Sequence, residues 1–199
     1  MGHLNKILVL FAHPALHKSR INNKILKSLH GIEGLTVNNL YERYPDFHID
    51  VKREQKLLLE HDIIVWQHPF YWYSAPAIVK EWMDLVLEHG FAYGSMGKAL
   101  LGKKIFNSIS TGGTVHAYAE SGFTIHQFLT PYIQTARLCQ MKYLPPYVIH
   151  GTHLLDTQQI DIEVERYKNI LNLLLDTDYS DQELASLNYL NDLINLKSI

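Results

Sequence analysis

The sequence predicts an α/β fold, a parallel sheet covered by helices on both faces, and three observations lead to it. Short, dense apolar runs alternate with segments of helical periodicity. The runs are apolar throughout rather than at every second position, as in strands buried on both sides. The gaps between them suit the crossovers that parallel neighbours need. Residues 6–12 form the first such strand. Ile21, Ile25, Leu26 and Leu29 recur at helical spacing over 20–29, and Gly31 and Gly34 stop that helix. A second strand falls at 35–40, a helix at 51–60 and a third strand at 62–67. Pro76 opens an amphipathic helix that carries Ile78, Val79, Trp82, Met83 and Val86. A fourth strand, 104–110, runs into Thr111-Gly112-Gly113. A helix over 124–137, a fifth strand at 147–150 and a helix over 160–175 complete the alternation. Ser180 and Glu183 have capping-box form, and Leu184, Leu187, Leu190 and Ile194 follow on one helical face. The expected division is one α/β domain over 1–176 and a C-terminal helical extension over 177–199, packed on its own domain or on a second subunit.

Composition narrows the function. Of the 199 residues 47 % are apolar and 19 % charged, which is globular rather than disordered. Eighteen Lys and Arg against twenty Asp and Glu give a net charge of −2, without the basic excess of a nucleic-acid binder. The single cysteine, Cys139, allows neither an internal disulfide nor a thiolate metal site, and its apolar surroundings mark it as a core residue. The longest apolar run, 7–12, is far short of the roughly 20 residues of a membrane helix. With no signal-peptide pattern at the start, a cytoplasmic domain is expected. Twelve tyrosines and twelve histidines suggest a ring-lined pocket.

In a parallel α/β sheet, ligands bind beyond the carboxyl ends of the strands. Three loops leave those ends. The first holds His13, Ser19, Arg20, Ile21 and Asn22 at a helix N-terminus, where free amides and the helix dipole suit a phosphate. Ser19 as a plain helix cap and His13 as a turn residue is the alternative. Neither G-x-G-x-x-G nor G-x-x-x-x-G-K-[ST] is present, which argues against the usual dinucleotide fold and against a nucleotide triphosphatase. The second loop follows Pro69 with four rings, Phe70, Tyr71, Trp72 and Tyr73. They form one wall of a slot for a flat ring system, or a helix entry with core aromatics. The third, Ser110, Thr111, Gly112 and Gly113, is a bare backbone that a ligand can approach closely, or an ordinary tight turn. Together the three suit a phosphorylated planar cofactor such as a flavin mononucleotide. Hydrolysis is a poorer match, because no G-x-S-x-G elbow exists. His150 and His153 lack a third ligand at suitable spacing for a metal.

Specific stretches carry a resemblance. They are Ala12-His13-Pro14 with Ser19 and Asn22; Tyr44-Pro45-Asp46-Phe47; Trp66-Gln67-His68-Pro69; Trp72-Tyr73-Ser74 with Pro76; Gly90-Phe91-Ala92-Tyr93-Gly94; Thr111-Gly112-Gly113; and Leu144-Pro145-Pro146-Tyr147. In these the chain resembles the flavodoxin-like NAD(P)H:quinone oxidoreductases. That family includes DT-diaphorase, the modulator of drug activity B, general stress protein 14 and the ancillary flavoprotein of glutathione-regulated potassium efflux, and the last two are the most similar. The resemblance implies a five-stranded sheet in the order 2-1-3-4-5, bound FMN or FAD with FMN favoured, NAD(P)H as co-substrate, and a homodimer with sites at the subunit boundary. His13 and residues 19–22 would hold the flavin phosphate, and Pro69 with residues 70–73 would line the ring. Ser110, Thr111, Gly112 and Gly113 would meet its polar edge. Tyr118 and Gly113 would act in catalysis, with His116 and His126 as candidate histidines. Phe91 and Tyr93 would line the substrate side. Relatives commonly have glutamine where this chain has Tyr71, so that contact is expected to differ. Two functions follow from the resemblance. One is hydride transfer from NAD(P)H through flavin N5 to a quinone. The other is an ancillary regulatory subunit peripheral to a potassium antiporter at the inner membrane face.

Overall fold

The five apolar residues Ile7–Phe11 form β1 at the centre of the sheet, and all five are buried. This computed structural model describes residues 4–120 and 122–198; residues 1–3 of the expected domain and Ile199 of the expected extension lie outside the described residues. β1 pairs in parallel with β2 (Leu35–Asn39) on one side and β3 (Ile63–Pro69) on the other, and β3 pairs with β4 (Lys104–Ser110). The last position is filled by two short strands, β5 (Lys142–Tyr143) and β6 (Tyr147–Ile149), both parallel to β4. Pro145 and Pro146 separate them, because proline has no N–H to give the ladder. The expected order 2-1-3-4-5 is therefore present with its fifth strand split.

Side chains along each strand point alternately to the two faces. Ile7, Val9, Phe11, Val65 and Phe106 pack under α1 (Arg20–Ser28) and the long C-terminal-side helix. Leu8, Leu10, Ile64, Trp66 and Ile105 pack on the opposite face. That face is covered by α2 (Leu40–Arg43), α3 (Val51–Glu60), α4 (Ala77–Val86), α6 (Ile125–Phe128) and α7 (Thr130–Leu138). A six-residue helix, α5 (Val115–Glu120), lies between β4 and α6. On the first face α8 (Thr157–Asp176) starts at a capping box formed by Asp156 and Gln159. The second layer is tied together by the fully buried Glu54. Its carboxylate accepts from Asn38 Nδ2 at 2.7 Å, the Tyr44 phenol at 2.6 Å and the Trp82 indole at 2.8 Å. Burial, with Glu54 beside it, pushes the Tyr44 phenol up to about 12.

Three sequence expectations change in the structure. The single helix over 124–137 is two helices, because Pro131 cannot donate to the Gln127 carbonyl four residues back. The Thr130 hydroxyl bonds that carbonyl instead, at 2.8 Å. The fifth strand gains β5 before the prolines. The extension is not one helix: after the Ser180–Glu183 capping box, α9 (Asp181–Ala185) is short and a 3-10 segment covers Leu190–Ser198. Leu184, Leu190 and Leu193 are buried, while Ile194 is 37 % exposed. The register of the buried face thus shifts by one residue.

The tail covers the sheet edge of its own chain. Asn191 brackets Val148 as a neighbouring strand would: Nδ2 donates to its carbonyl at 2.9 Å and Oδ1 accepts its amide at 2.9 Å. The Leu190 amide bonds Pro146 O at 3.0 Å. An open edge invites pairing with other chains, and this one is closed by a side chain. Among the described residues no helix is long and apolar enough to cross a membrane. Asn191→Ala strips two partners from the backbone of a buried strand. It is expected to lower the unfolding free energy by about 1–3 kcal/mol, read as a lower urea midpoint with the slope unchanged. An unaltered midpoint would remove Asn191 from the forces holding the tail.

Candidate functional site at the carboxyl edge of the sheet

The parallel register aligns the strand ends. Phe11 lies level with Gln67, Pro69 with Ser110, and Ser110 with Ile149. Three further backbone bonds extend the ladder into the loops: Ala12 N to Gln67 O at 2.9 Å, Phe70 N to Ser110 O at 2.8 Å and Thr111 N to Ile149 O at 2.8 Å. Four loops therefore leave the same edge, and two adjoining cavities form among them.

The first cavity, about 310 Å³, is lined by His13, Lys18, residues 19–22, Pro69, Tyr71, Ser110, Thr152 and His153. Ser19 caps α1, its hydroxyl accepting the Asn22 amide at 3.2 Å. The Arg20 and Ile21 amides belong to the first helical turn and have no acceptor inside the helix. Asn22 is buried, and its Nδ2 donates to both Ser19 Oγ at 3.0 Å and Ser110 Oγ at 2.9 Å, joining the first loop to the third. His13 Nδ1 accepts the Ala15 amide at 3.2 Å, which leaves Nε2 as the protonated nitrogen of the neutral ring. Burial holds this imidazole below the usual histidine range. The Arg20 guanidinium turns to the loop after β6, donating to the carbonyl of Leu155 at 2.8 Å. A helix N-terminus with Lys18, neutral donors and no carboxylate in the wall suits a phosphate.

The second cavity, about 470 Å³, is lined by Phe70, Tyr71, Trp72, Tyr73, Gly112, Gly113, Ala117 and Tyr118, so Tyr71 borders both. Phe70 is buried, but Trp72 is 93 % exposed and Tyr73 56 %. Tyr71 meets the His13 ring edge-on at 5.9 Å. Across the slot a Cβ on Gly113 would stand 2.9 Å from Tyr118 Cε2, whereas one on Gly112 would meet only His153 Nδ1, at 3.9 Å. Thr111, fully buried, organises the turn. Its hydroxyl donates to Gly113 O at 2.7 Å and receives His150 Nδ1–H at 3.2 Å, and it also bonds the Tyr118 phenol. Burial holds His150 below the usual range and Tyr118 above it. The cavity has a ring wall, a floor without side chains and a phenol, which is the shape of a slot for a flat heterocycle.

The structure brings His13, residues 19–22, Pro69, residues 70–73, Ser110, Thr111, Gly112, Gly113 and Tyr118 to one edge. It does not bring His116, which is largely exposed and pairs with Glu120 at 3.1 Å, nor His126, which bonds Asn188 at 3.0 Å. Phe91 and Tyr93 are half-buried after α4 and line neither cavity. Sequence reasoning missed Lys18, Thr152 and Ala117, and weighed His150 and His153 only as metal ligands. For those after β6 the signal was present, because the fifth strand of a parallel sheet also points its loop at this edge.

The flavodoxin-like fold family matches residues 5–171. The chain belongs to this family. Among its relatives, the glutathione-regulated potassium-efflux system ancillary protein KefF of Klebsiella aerogenes is 41 % identical over 171 residues, spanning 83 % of this chain and 94 % of that protein. The structure of general stress protein 14 from Treponema denticola, in complex with FMN, is 35 % identical with a TM-score of 0.79, and covers 85 % of this chain and 99 % of its own. The NADPH-quinone reductase structure from P. pentosaceus is 30 % identical with a TM-score of 0.69, and covers 81 % and 96 %.

Beneath the aromatic loop lies His68, buried and lowered by desolvation from 6.5 to about 4. Between those values the unfolded chain binds the proton and the folded chain does not, so stability falls as the pH drops through that window. His68→Asn is expected to flatten the decline of unfolding free energy between pH 6.5 and 5, by up to about 1.4 kcal/mol per pH unit. Parallel slopes for the two proteins would show that His68 protonates alike in both states.

Proposed function

We propose that the chain is an FMN-dependent NAD(P)H:quinone oxidoreductase. The carrying observation is the junction of a phosphate-type pocket and a ring-walled slot through one shared residue, Tyr71. The FMN held by general stress protein 14 of T. denticola and the activity named for the P. pentosaceus protein support it. When bound, FMN supplies the capacity to take a hydride from a nicotinamide and give it to a quinone. This chain's residues do the rest. The Arg20 and Ile21 amides, with Ser19, Asn22 and Lys18, hold the phosphate. Phe70, Tyr71, Trp72 and Tyr73 line the ring and exclude water from one face. The Gly112 and Gly113 amides would donate to the polar edge, where negative charge grows on reduction, with the Tyr118 phenol dipole beside them. NADH and NADPH are both admitted as donors, and FAD as a substitute for FMN. The exposed Trp72 and Tyr73 favour a homodimer whose second copy covers the slot and brings Phe91 and Tyr93 to the substrate side.

A second reading has its own support, the 41 % identity to KefF. In it the chain is an ancillary subunit, peripheral to a potassium antiporter at the inner membrane face, and keeps the flavin whether or not it turns over. Purified protein should be yellow, release FMN on denaturation, and oxidise NAD(P)H with a quinone well above the rate of free FMN. Colourless protein that ignores added FMN and FAD would end the first reading. Gly113→Val places a branched Cβ against Tyr118 and is expected to weaken FMN retention tenfold or more, seen by fluorescence titration. Unchanged retention would take the glycine turn out of the site.

A further inference from the structure

The aromatic loop is held in a conformation that its own residues disfavour. The Ser74 amide bonds Tyr71 O at 3.0 Å, closing a four-residue turn. Its two central residues, Trp72 and Tyr73, have φ of 50° and 62°. Left-handed backbone at both central positions is the pattern of a type I′ turn, where glycine and asparagine are usual and large aromatic residues are strained. Trp72 projects into solvent and makes no packing that could hold the turn. The restraint comes from below. Tyr132 of α7 is 6 % exposed, and its phenol oxygen accepts the Ala75 amide at 3.0 Å and lies 3.3 Å from Ser74 Oγ. Its ring is fixed in turn by two buried residues of β3: Trp66, edge-on at 5.5 Å, and His68, stacked at 6.0 Å. Four residues earlier, Phe128 stacks under Tyr73 at 5.0 Å. The break between α6 and α7 thus sets two rings side by side under the turn.

We infer that Tyr132 is the positioning residue for the flavin slot: its phenol transmits the fixed geometry of β3 to the strained turn and so holds Tyr71, Trp72 and Tyr73 in the shape that receives the ring. The inference rests on the flavin reading above for its consequence, but the restraint itself is a property of the cofactor-free chain. Tyr132→Phe keeps the ring and removes the hydroxyl, so the Ala75 N–H loses its acceptor and Ser74 Oγ its contact.

Hydrogen exchange of the cofactor-free protein tests the restraint. The Ser74 and Ala75 amides should exchange about tenfold faster in Tyr132→Phe, while amides of β1 and β3 keep their rates. FMN titration tests the consequence, with the dissociation constant expected to rise about tenfold and the thermal midpoint to fall little. In a Tyr73→Gly background, where one strained position is relaxed, the exchange effect should shrink to about twofold. Unchanged exchange at 74–75, or acceleration shared equally by the core strands, overturns the inference. So does an unchanged dissociation constant beside faster local exchange. If wild-type protein binds no FMN, the flavin reading fails while the exchange experiment still decides whether Tyr132 holds the turn. Should Tyr132→Phe not fold, the wild-type Ala75 amide decides: exchange as fast as in an open peptide overturns the inference, and strong protection upholds it.

Discussion

The parallel register of β1, β3 and β4 is the constraint from which the edge of this molecule is built. A parallel ladder leaves no freedom in where adjacent strands end relative to one another once their first pairs are set. Ile7 opposite Ile63 and Ile63 opposite Lys104 fix Phe11 against Gln67 and Pro69 against Ser110. β3 runs two residues beyond β1, so the aromatic loop leaves from a step above the α1 loop, and Tyr71 can reach back over His13. The buried bond from Asn22 to Ser110 then locks the first loop to the third across the strand between them. Losing it would take this donor from Ser110 Oγ and leave Asn22 Nδ2 bonded to Ser19 Oγ alone.

The same economy appears in the polar groups beneath the site. Asn107 Nδ2 meets His68 Nε2 at 3.1 Å, and the Tyr143 phenol meets Asn107 Oδ1 at 2.7 Å, so a polar row crosses β3, β4 and β5 under the apolar layer. Burial drives Tyr143 well above the usual phenol range and His68 well below the histidine range, so both stay neutral. A neutral, fully bonded row keeps its geometry at low cost, where charges would need water or partners. Above it stand the Tyr132 and Phe128 rings, and above them the strained turn.

Much of this was legible in the sequence because it depends on local pattern. Dense apolar runs announced the strands, and the alternation with helices fixed the class and the edge at which to look. Ser19 could be placed at a helix start from its neighbours alone. What was illegible depends on contacts distant in the chain. Nothing around Tyr132 says that its phenol will sit under Ala75, 57 residues away. Nothing around Asn191 says that it will complete β6. The tail's leucines fit a helix of period 3.6, yet the buried set is Leu184, Leu190 and Leu193, because docking on the sheet edge favoured a short helix and a tighter turn. His116 was a candidate site histidine through the resemblance alone. On α5, however, the ring two residues on from it, Tyr118, faces the slot, and His116 itself pairs with Glu120 in solvent.

Tyr71 borders both cavities, so its side chain is part of each wall. Here the side chain is a ring, 45 % exposed, packed edge-on against a buried histidine that is itself pinned by the Ala15 amide. Such a contact is directional but not a hydrogen bond, so it positions the wall without competing for a polar ligand atom. Beside the side chains of Lys18, Ser19, Asn22 and Tyr118, this edge presents backbone amides at two places, the first turn of α1 and the glycine pair after β4. Amides of that kind are indifferent to side-chain substitution and sensitive to backbone position. That is why the shape of the aromatic turn, and whatever holds it, bears more on this site than the identity of any one ring in it.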